Sequence, residues 1–238
     1  MLKELIDQLY LDKQEDREQN HFYITDAGKC TRAIFFKFKN MTREKMEARM
    51  LRLFDHGNYI QMQLLNTLFS LGIVRASEVQ IPPQALISGR ADAIVTLNNE
   101  LYVVDFKSMN SMLFRKLQEP KEENVNQIQL YMHYFKIPKG ILLYMSKDTS
   151  ELKDFLIQYD TDLVQGLIGG LEDLDKKIKT NIVPEQMLDF PRNKQCIYCQ
   201  FKDICVSAGK SELKWDEFKN KIEKSRQQSF GNIESASA

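Results

Sequence analysis

Two aspartates and a lysine stand near the ends of two short apolar runs. Asp92 lies within Gly89-Arg90-Ala91-Asp92-Ala93-Ile94-Val95, and Asp105 and Lys107 lie within Val103-Val104-Asp105-Phe106-Lys107-Ser108. Strand residues alternate between faces, so Asp105 and Lys107 share one. Asn98-Asn99 suits a two-residue hairpin turn between the runs. Asp92 falls six residues before Asn98 and Asp105 six after Asn99, a register that makes the two carboxylates cross-strand neighbours. Two carboxylates at an apolar strand end are costly unless a cation compensates them. Aspartate oxygens suit Mg²⁺ or Mn²⁺, which keep waters and accept phosphate oxygens. A lysine beside such an ion can orient or activate a water, or stabilise charge on a phosphate. The plainer alternative is a surface Asp–Lys pair on an edge strand. Gln127 and Tyr131, four residues apart, share one helix face and can reach a phosphate or the lysine. On their own they equally describe an ordinary amphipathic helix.

The second group is sulfur. Cys196-x2-Cys199-x5-Cys205 is a compact trio, and Cys30 is the only other cysteine. A CxxC with a nearby third thiol points to a metal site, and Cys30 is the natural fourth ligand. Four thiolates fit tetrahedral Zn²⁺ or a [4Fe–4S] cluster, and spacing does not separate the two. The alternative is four unrelated buried thiols.

The periodicity supplies the elements that must position these groups. A helix is expected over 2–10, followed by a polar stretch over 12–20. Asp26 reads as the N-cap of a short helix through Ala27 to Phe36, and Thr42 as the start of a longer one reaching Leu71, bent or interrupted at Gly57. Strands are expected over 73–81, 85–97 and 101–108, then a helix over 125–135, with Ile128, Leu130 and Tyr134 on its buried side. Strands at 140–146 and 154–159 follow, then helices over 162–180 and 215–226. The polar tail 227–238 is expected to be disordered. This is an α/β chain with a mixed sheet, and the lack of strict βαβ alternation counts against a doubly wound domain.

Composition excludes much else. The 238 residues are 43% hydrophobic and 28% charged, as in ordinary globular chains and unlike disordered or fibrous ones. Lysine plus arginine equals aspartate plus glutamate, so net charge names no partner. Its distribution says more. Residues 29–52 carry eight basic side chains (Lys29, Arg32, Lys37, Lys39, Arg43, Lys45, Arg49, Arg52) against Glu44 and Glu47, with Phe35, Phe36 and Phe38 between them. The charges suit a DNA backbone, whereas the phenylalanines read as core. No apolar run is long enough to span a membrane, and the first twenty residues lack a signal-peptide core, so a cytoplasmic protein is expected. Gly209-Lys210-Ser211 looks like the end of a phosphate-binding loop, but Ile204 stands where that motif needs glycine.

Asp92, then Asp105-x-Lys107, then Gln127-x3-Tyr131 resembles the PD-(D/E)-x-K nucleases, in particular their RecB-like branch. The resemblance implies a restriction-endonuclease-like core with a mixed central sheet flanked by helices. It further implies metal ligation by Asp92, Asp105 and the Phe106 carbonyl, a catalytic Lys107, and Gln127 and Tyr131 facing the substrate. That branch usually carries G-x-x-x-H upstream; here the match is Gly57-Asn58-Tyr59-Ile60-Gln61, so Gln61 replaces the metal-binding histidine. Glu78 is a further ligand candidate or a solvated strand residue. A distant upstream cysteine with three after the nuclease motifs, and Cys30-Thr31-Arg32 as a C-x-R entry, is similar to the iron–sulfur members of the branch. These include the AddB nuclease domain, the exonuclease V type and the CRISPR-associated adaptation nucleases. There a [4Fe–4S] cluster on the four cysteines forms a cap joining the N- and C-terminal regions. The implied organisation is an N-terminal helix and linker (1–24), a nuclease domain with the cluster (25–207), a C-terminal helix (208–227) and a tail (228–238). The implied activity is a Mg²⁺- or Mn²⁺-dependent DNA exonuclease preferring single-stranded ends, threaded under the cluster. It would serve repair, recombination or CRISPR adaptation beside a separate helicase or adaptation proteins. A DNA-binding module impaired at Gln61 and a zinc-stabilised interaction domain are the other readings.

Overall fold

The structure is a computed structural model that describes residues 1–14, 18–43, 45–82 and 85–223. In chain order its elements are α1 (Leu2–Asp12), β1 (Phe22–Tyr23), a 3₁₀ turn (Ile24–Asp26), α2 (Thr31–Phe38), α3 (Ala48–Ser70), β2 (Val74–Gln80), β3 (Ile87–Ser88), β4 (Arg90–Leu97), β5 (Glu100–Met109), α4 (Ser111–Lys116), α5 (Glu122–Phe135), β6 (Lys139–Ser146), β7 (Leu152–Gln158), α6 (Thr161–Lys179), β8 (Ile182–Val183), α7 (Lys194–Ile197), α8 (Lys202–Ala208), β9 (Leu213–Lys214) and α9 (215–223). They divide between two compact units. The first holds Met1–Arg17, His21–Gly28 and Lys45–Gly169, and the second holds Glu18–Asn20, Lys29–Glu44 and Gly170–Ala238.

The first unit is built on a five-stranded sheet in the order β2-β4-β5-β6-β7. Within that sheet only the β5–β6 pair is parallel, and α4 and α5 make that crossover. The expected mixed sheet and flanking helices are therefore present. The β4–β5 hairpin has the register that the sequence arithmetic required, with Leu97 opposite Glu100 and Ala93 opposite Val104. Asn98 and Asn99 both take positive φ, 49° and 63°, as a primed two-residue turn demands. Alternation then sorts the residues. Ala93, Val95, Val104 and Phe106 pack with Ile60 and Leu64 of α3 in one buried cluster. Val103, Asp105 and Lys107 are left to the other face, under α5.

Three anchors seat α5 on that face. Tyr144 of β6 accepts hydrogen bonds from Asn124 Nδ2 (2.7 Å) and the Lys121 N–H (3.2 Å) at the start of the helix. Gln129, fully buried, donates to the Gln158 carbonyl and accepts from the Asp160 N–H. Between them the helix lies directly on Gly140, where a Cβ would stand 2.8 Å from Ile128 Cδ1 and 3.0 Å from Met132 Sδ. Any side chain at residue 140 would lift α5 from the sheet.

Several boundaries differ from the sequence reading. Asp26 does not open a helix. Its carboxylate accepts the Tyr23 N–H and closes the 3₁₀ turn, and Gly28 then takes φ 72°, so α2 starts only at Thr31. The helix expected from Thr42 starts at Ala48, because the Gln14 amide clasps both backbone groups of Met46 and holds that residue out of a helix. α3 runs through Gly57 without interruption. The strand expected over 85–97 breaks at Gly89, and its first part pairs with β1 instead. Tyr134 is half-buried rather than core. The expected tail, and the end of the last helix, lie outside the described residues.

The second unit gathers α2, the end of α6, β8, α7, α8, β9 and α9. Its core is aromatic. Phe36 stacks on Phe218 at 5.1 Å and meets Phe201 edge-on at 5.6 Å, while Phe35 approaches Trp215 at 5.7 Å. Phe35 and Phe36 are thus core, as their pattern suggested. Arg32 is not a surface phosphate contact, since it is completely buried. Lys39 is occupied by the Ile178 carbonyl and Asn181 Oδ1, and the basic run as a whole is shared between the two units.

Gly140→Ala should lower stability by about 1–3 kcal/mol through overpacking against α5. A chemical-denaturation midpoint unchanged from the wild type would contradict this account of how α5 is seated.

Candidate active site

The catalytic candidates meet where the sheet forks. Pairing of β4 with β5 stops at Ala93–Val104, while β4 continues against β2 through Arg90 and β5 continues against β6 to Met109. Asp92 fills the mouth of the fork. Its Oδ2 accepts the Phe106 N–H at 2.7 Å, so a carboxylate replaces the missing strand partner. Its Oδ1 accepts from Gln61 Nε2 of α3 at 2.8 Å. The same amide nitrogen donates to Glu78 Oε1 at 3.1 Å, and Glu78 Oε2 lies 2.5 Å from Arg90 Nε.

Asp105 sits beside Asp92 and is 2% exposed. Lys107 Nζ stands 2.7 Å from its Oδ2, yet the angles make no hydrogen bond, and that buried oxygen has none. Lys107 donates instead to Gln127 Oε1 at 2.8 Å. Gln127 Nε2 reaches Tyr131 Oη at 3.4 Å, and that hydroxyl donates to the Arg90 carbonyl at 2.6 Å. A single chain of contacts therefore runs from the lysine through α5 back to β4.

Electrostatics follow from burial. Desolvation, then the charge of Asp105, pushes Asp92 up to about 7, against the Phe106 N–H and Lys107, which pull it down. Burial also raises Asp105, with Lys107 opposing. Tyr131 is raised, again chiefly by burial, so its phenol remains a neutral donor. The pair is thus short of positive charge, and a hard divalent cation would relieve it. Two carboxylates and a backbone carbonyl are suitable oxygen donors for Mg²⁺ or Mn²⁺.

All predicted residues of this group come together: Asp92, Asp105, Phe106, Lys107, Gln127, Tyr131 and Gln61. Glu78, read from the sequence as a further ligand candidate or a solvated strand residue, contacts the group through Gln61 and Arg90. The sequence reading missed the Arg90 carbonyl, because a backbone atom leaves no signature in residue type.

The four cysteines line one cavity of the second unit together with Arg32 and Phe36. Burial raises the thiols of Cys30, Cys196 and Cys199, and the neighbouring sulfurs add to it. N–H donors surround the sulfurs. Arg32 Nη1 approaches Cys205 Sγ at 3.6 Å and Gln186 Nε2 approaches it at 3.4 Å, while backbone N–H groups of Arg32 and Ala33 face Cys30. Among the described residues no group of three or more His, Cys, Asp and Glu side chains is arranged to hold a metal ion as it stands. The remaining Arg32 donors reach the carbonyls of Pro184, Gly209, Lys210 and Ser211. Lys210 and Ser211, the false phosphate loop of the sequence, are thus arginine acceptors.

A forked mixed sheet presenting two aspartates and a lysine, with a glutamine and a tyrosine from the helix above, defines a phosphodiester-cleaving core. The chain belongs to the PD-(D/E)XK nuclease superfamily, whose model matches residues 1–206. It is 25% identical over 198 residues to the CRISPR-associated exonuclease Cas4 of Saccharolobus solfataricus, covering 79% of this chain and 89% of that protein. The crystal structure of SSO0001 shares the fold with a TM-score of 0.55 and 23% identity, over 86% of this chain and 96% of that one. An alkaline exonuclease of Laribacter hongkongensis does so with a TM-score of 0.50 and 14% identity, over 74% and 94%. The resemblance read from the motifs is borne out at the level of the superfamily, and the chain is a nuclease. No helix among the described residues is long and apolar enough to cross a membrane.

Two outcomes follow. Asp92 is protonated more readily folded than unfolded, where its value is near 3.8. Its contribution to stability therefore rises as pH falls through about 7 and is absent at higher pH. Asp92→Asn should accordingly raise the melting temperature of metal-free protein at pH 8 by a few degrees, and by less at pH 5.5. An equal shift at both pH values would contradict the assignment. Arg32→Ala should cost about 3–5 kcal/mol, since four carbonyls lose a buried donor. A loss under 1 kcal/mol in urea unfolding would show that Arg32 does not hold the second unit together.

Proposed function

We propose that this nuclease hydrolyses DNA from free single-stranded ends with a divalent cation, Mg²⁺ or Mn²⁺, held by Asp92, Asp105 and the Phe106 carbonyl. The observation that carries the reading is a pair of desolvated carboxylates, Asp92 and buried Asp105, whose Oδ2 makes no hydrogen bond and is met by the single ammonium of Lys107. A strand residue presents its N–H and C=O to the same edge. Since the Phe106 N–H meets Asp92, its carbonyl faces the same fork. The cation, when bound, supplies Lewis-acid polarisation of the phosphate and a more acidic water.

The chain's own residues do the rest. Lys107 is set between Asp105 and Gln127, from where its ammonium orients the attacking water and meets charge developing on the phosphate. Gln127 limits the lysine to that position, and Tyr131 limits Gln127 through the Arg90 carbonyl. The exonuclease direction of this reading rests on the 25% identical relative, itself named an exonuclease. Single-stranded ends rest on the motif resemblance. The same relative is named CRISPR-associated, which supports a CRISPR role over repair or recombination; a separate helicase or CRISPR adaptation proteins as partners, and a cytoplasmic location, rest on the motif resemblance and the sequence.

Cys30, Cys196, Cys199 and Cys205 would hold a [4Fe–4S] cluster, or Zn²⁺ in its place, as the cap of a nuclease domain over 25–207. The donors suit either group in type. The buried guanidinium of Arg32 lies 3.6 Å from Cys205 Sγ, so a cation already stands beside the sulfurs that would hold either group. Absorption near 400 nm in anaerobically purified protein separates the cluster from colourless zinc.

The replacement of histidine by Gln61 gives a second reading, a DNA-binding module with an impaired site. Mn²⁺-dependent digestion of end-labelled linear single-stranded DNA, beside a circular control, decides between them. The linear strand should be degraded and the circle spared, with Lys107→Ala reduced about 100-fold or more. Cutting of the circle would make the enzyme an endonuclease, and no cutting of either would favour the binding module.

A further inference from the structure

We propose that Glu78 is a third carboxylate ligand of the cation site, taking the place left by the absent histidine, with Gln61 turning its amide oxygen to the ion. This rests on the reading of Asp92 and Asp105 as a cation site. Three observations carry it. Gln61 Nε2 lies 2.8 Å from Asp92 Oδ1 and 3.1 Å from Glu78 Oε1, so one amide nitrogen bridges two carboxylates. Those two oxygens are consequently within about 6 Å of each other. A weak positive dipole stands where a full charge is wanted.

Second, the fork holds a further buried carboxylate oxygen from its other side, Asp105 Oδ2, which makes no hydrogen bond and has Lys107 as its ion-pair partner. Negative oxygen therefore faces this space from β2, β4 and β5, and the positive groups in reach are Lys107 and Arg90. Each of these already contacts one carboxylate, Lys107 with Asp105 and Arg90 with Glu78. Third, Glu78 lies opposite Asp92 in the β2–β4 ladder, since Ser77 pairs with Ala93 and Val79 with Ala91. It is placed to the fork by register, and a rotation of its side chain from Arg90 is what ligation requires. Arg90 would then be released toward the phosphate.

The substitution also changes ligand chemistry. Histidine nitrogen favours Zn²⁺, Ni²⁺ and Co²⁺, whereas a site of carboxylate, amide and carbonyl oxygens favours Mg²⁺, Ca²⁺ and Mn²⁺. Glu78 thus explains how the chain keeps a hard-cation site without the imidazole.

The test is Mn²⁺ binding by the full chain without DNA, followed by electron paramagnetic resonance of free Mn²⁺. Glu78→Gln should weaken binding about 10-fold or more. Glu78→Asp, whose shorter side chain tolerates the φ of 54° at this residue, should weaken it by less. Gln61→His should restore much of the affinity to Glu78→Gln, and in the wild-type background should shift preference toward Co²⁺ over Mg²⁺. Wild-type affinity in both folded Glu78 variants, with Asp105→Asn unable to bind, overturns the role of Glu78 and leaves the cation site standing. Wild-type affinity in Asp105→Asn as well overturns the site itself.

Discussion

Two aspartates share one desolvated corner of this protein, and the first unit is arranged around the cost of holding them there. Removing a carboxylate from water costs several kcal/mol unless partners compensate, and a second like charge alongside adds to it. The sheet opens at that point, which frees the Phe106 N–H to serve Asp92 in place of a strand. Gln61 serves the other oxygen of Asp92, and Lys107 stands against Asp105. The compensation is incomplete, since one buried oxygen keeps no hydrogen bond. On the proposed reading of this corner as a cation site, that shortage of positive charge is what a bound cation would fill.

The helix above the pair is held to match. Lys107 has four rotatable bonds, and its position becomes definite because Asp105 and Gln127 hold its ammonium from two sides. Gln127 in turn depends on where α5 lies, and α5 is fixed by Tyr144 at its start, Gln129 toward its end and Gly140 beneath. None of those three residues touches the chemistry. Each acts by locating a helix to within the reach of one hydrogen bond, which is the tolerance that positioned catalysis requires.

The second unit solves the opposite problem. A guanidinium is buried completely and satisfied by carbonyl dipoles from residues 184, 209, 210 and 211, with sulfur against one of its nitrogens. The planar fork of arginine suits this work, since its donors diverge and a single side chain reaches segments far apart in sequence.

Much of the site was legible before any fold was seen. Alternation put Asp105 and Lys107 on one face, and the two-asparagine turn set the register that brings Asp92 to Asp105, because both are local geometry. Helical spacing joined Gln127 to Tyr131 for the same reason. Helix starts at Asp26 and Thr42 were misplaced because distant or turn-forming groups, the Gln14 amide and the Asp26 carboxylate, captured the backbone instead. Glu78 and Arg32 needed the fold: a strand residue left open as ligand or solvated meets Gln61 beside Asp92, and a basic residue read as a DNA contact is completely buried. By itself, then, the sequence determined which residues could meet along one strand, hairpin or helix. Only the tertiary structure decided which of them lost their water, because burial is set by what packs on top, and that is not written in any neighbouring residue.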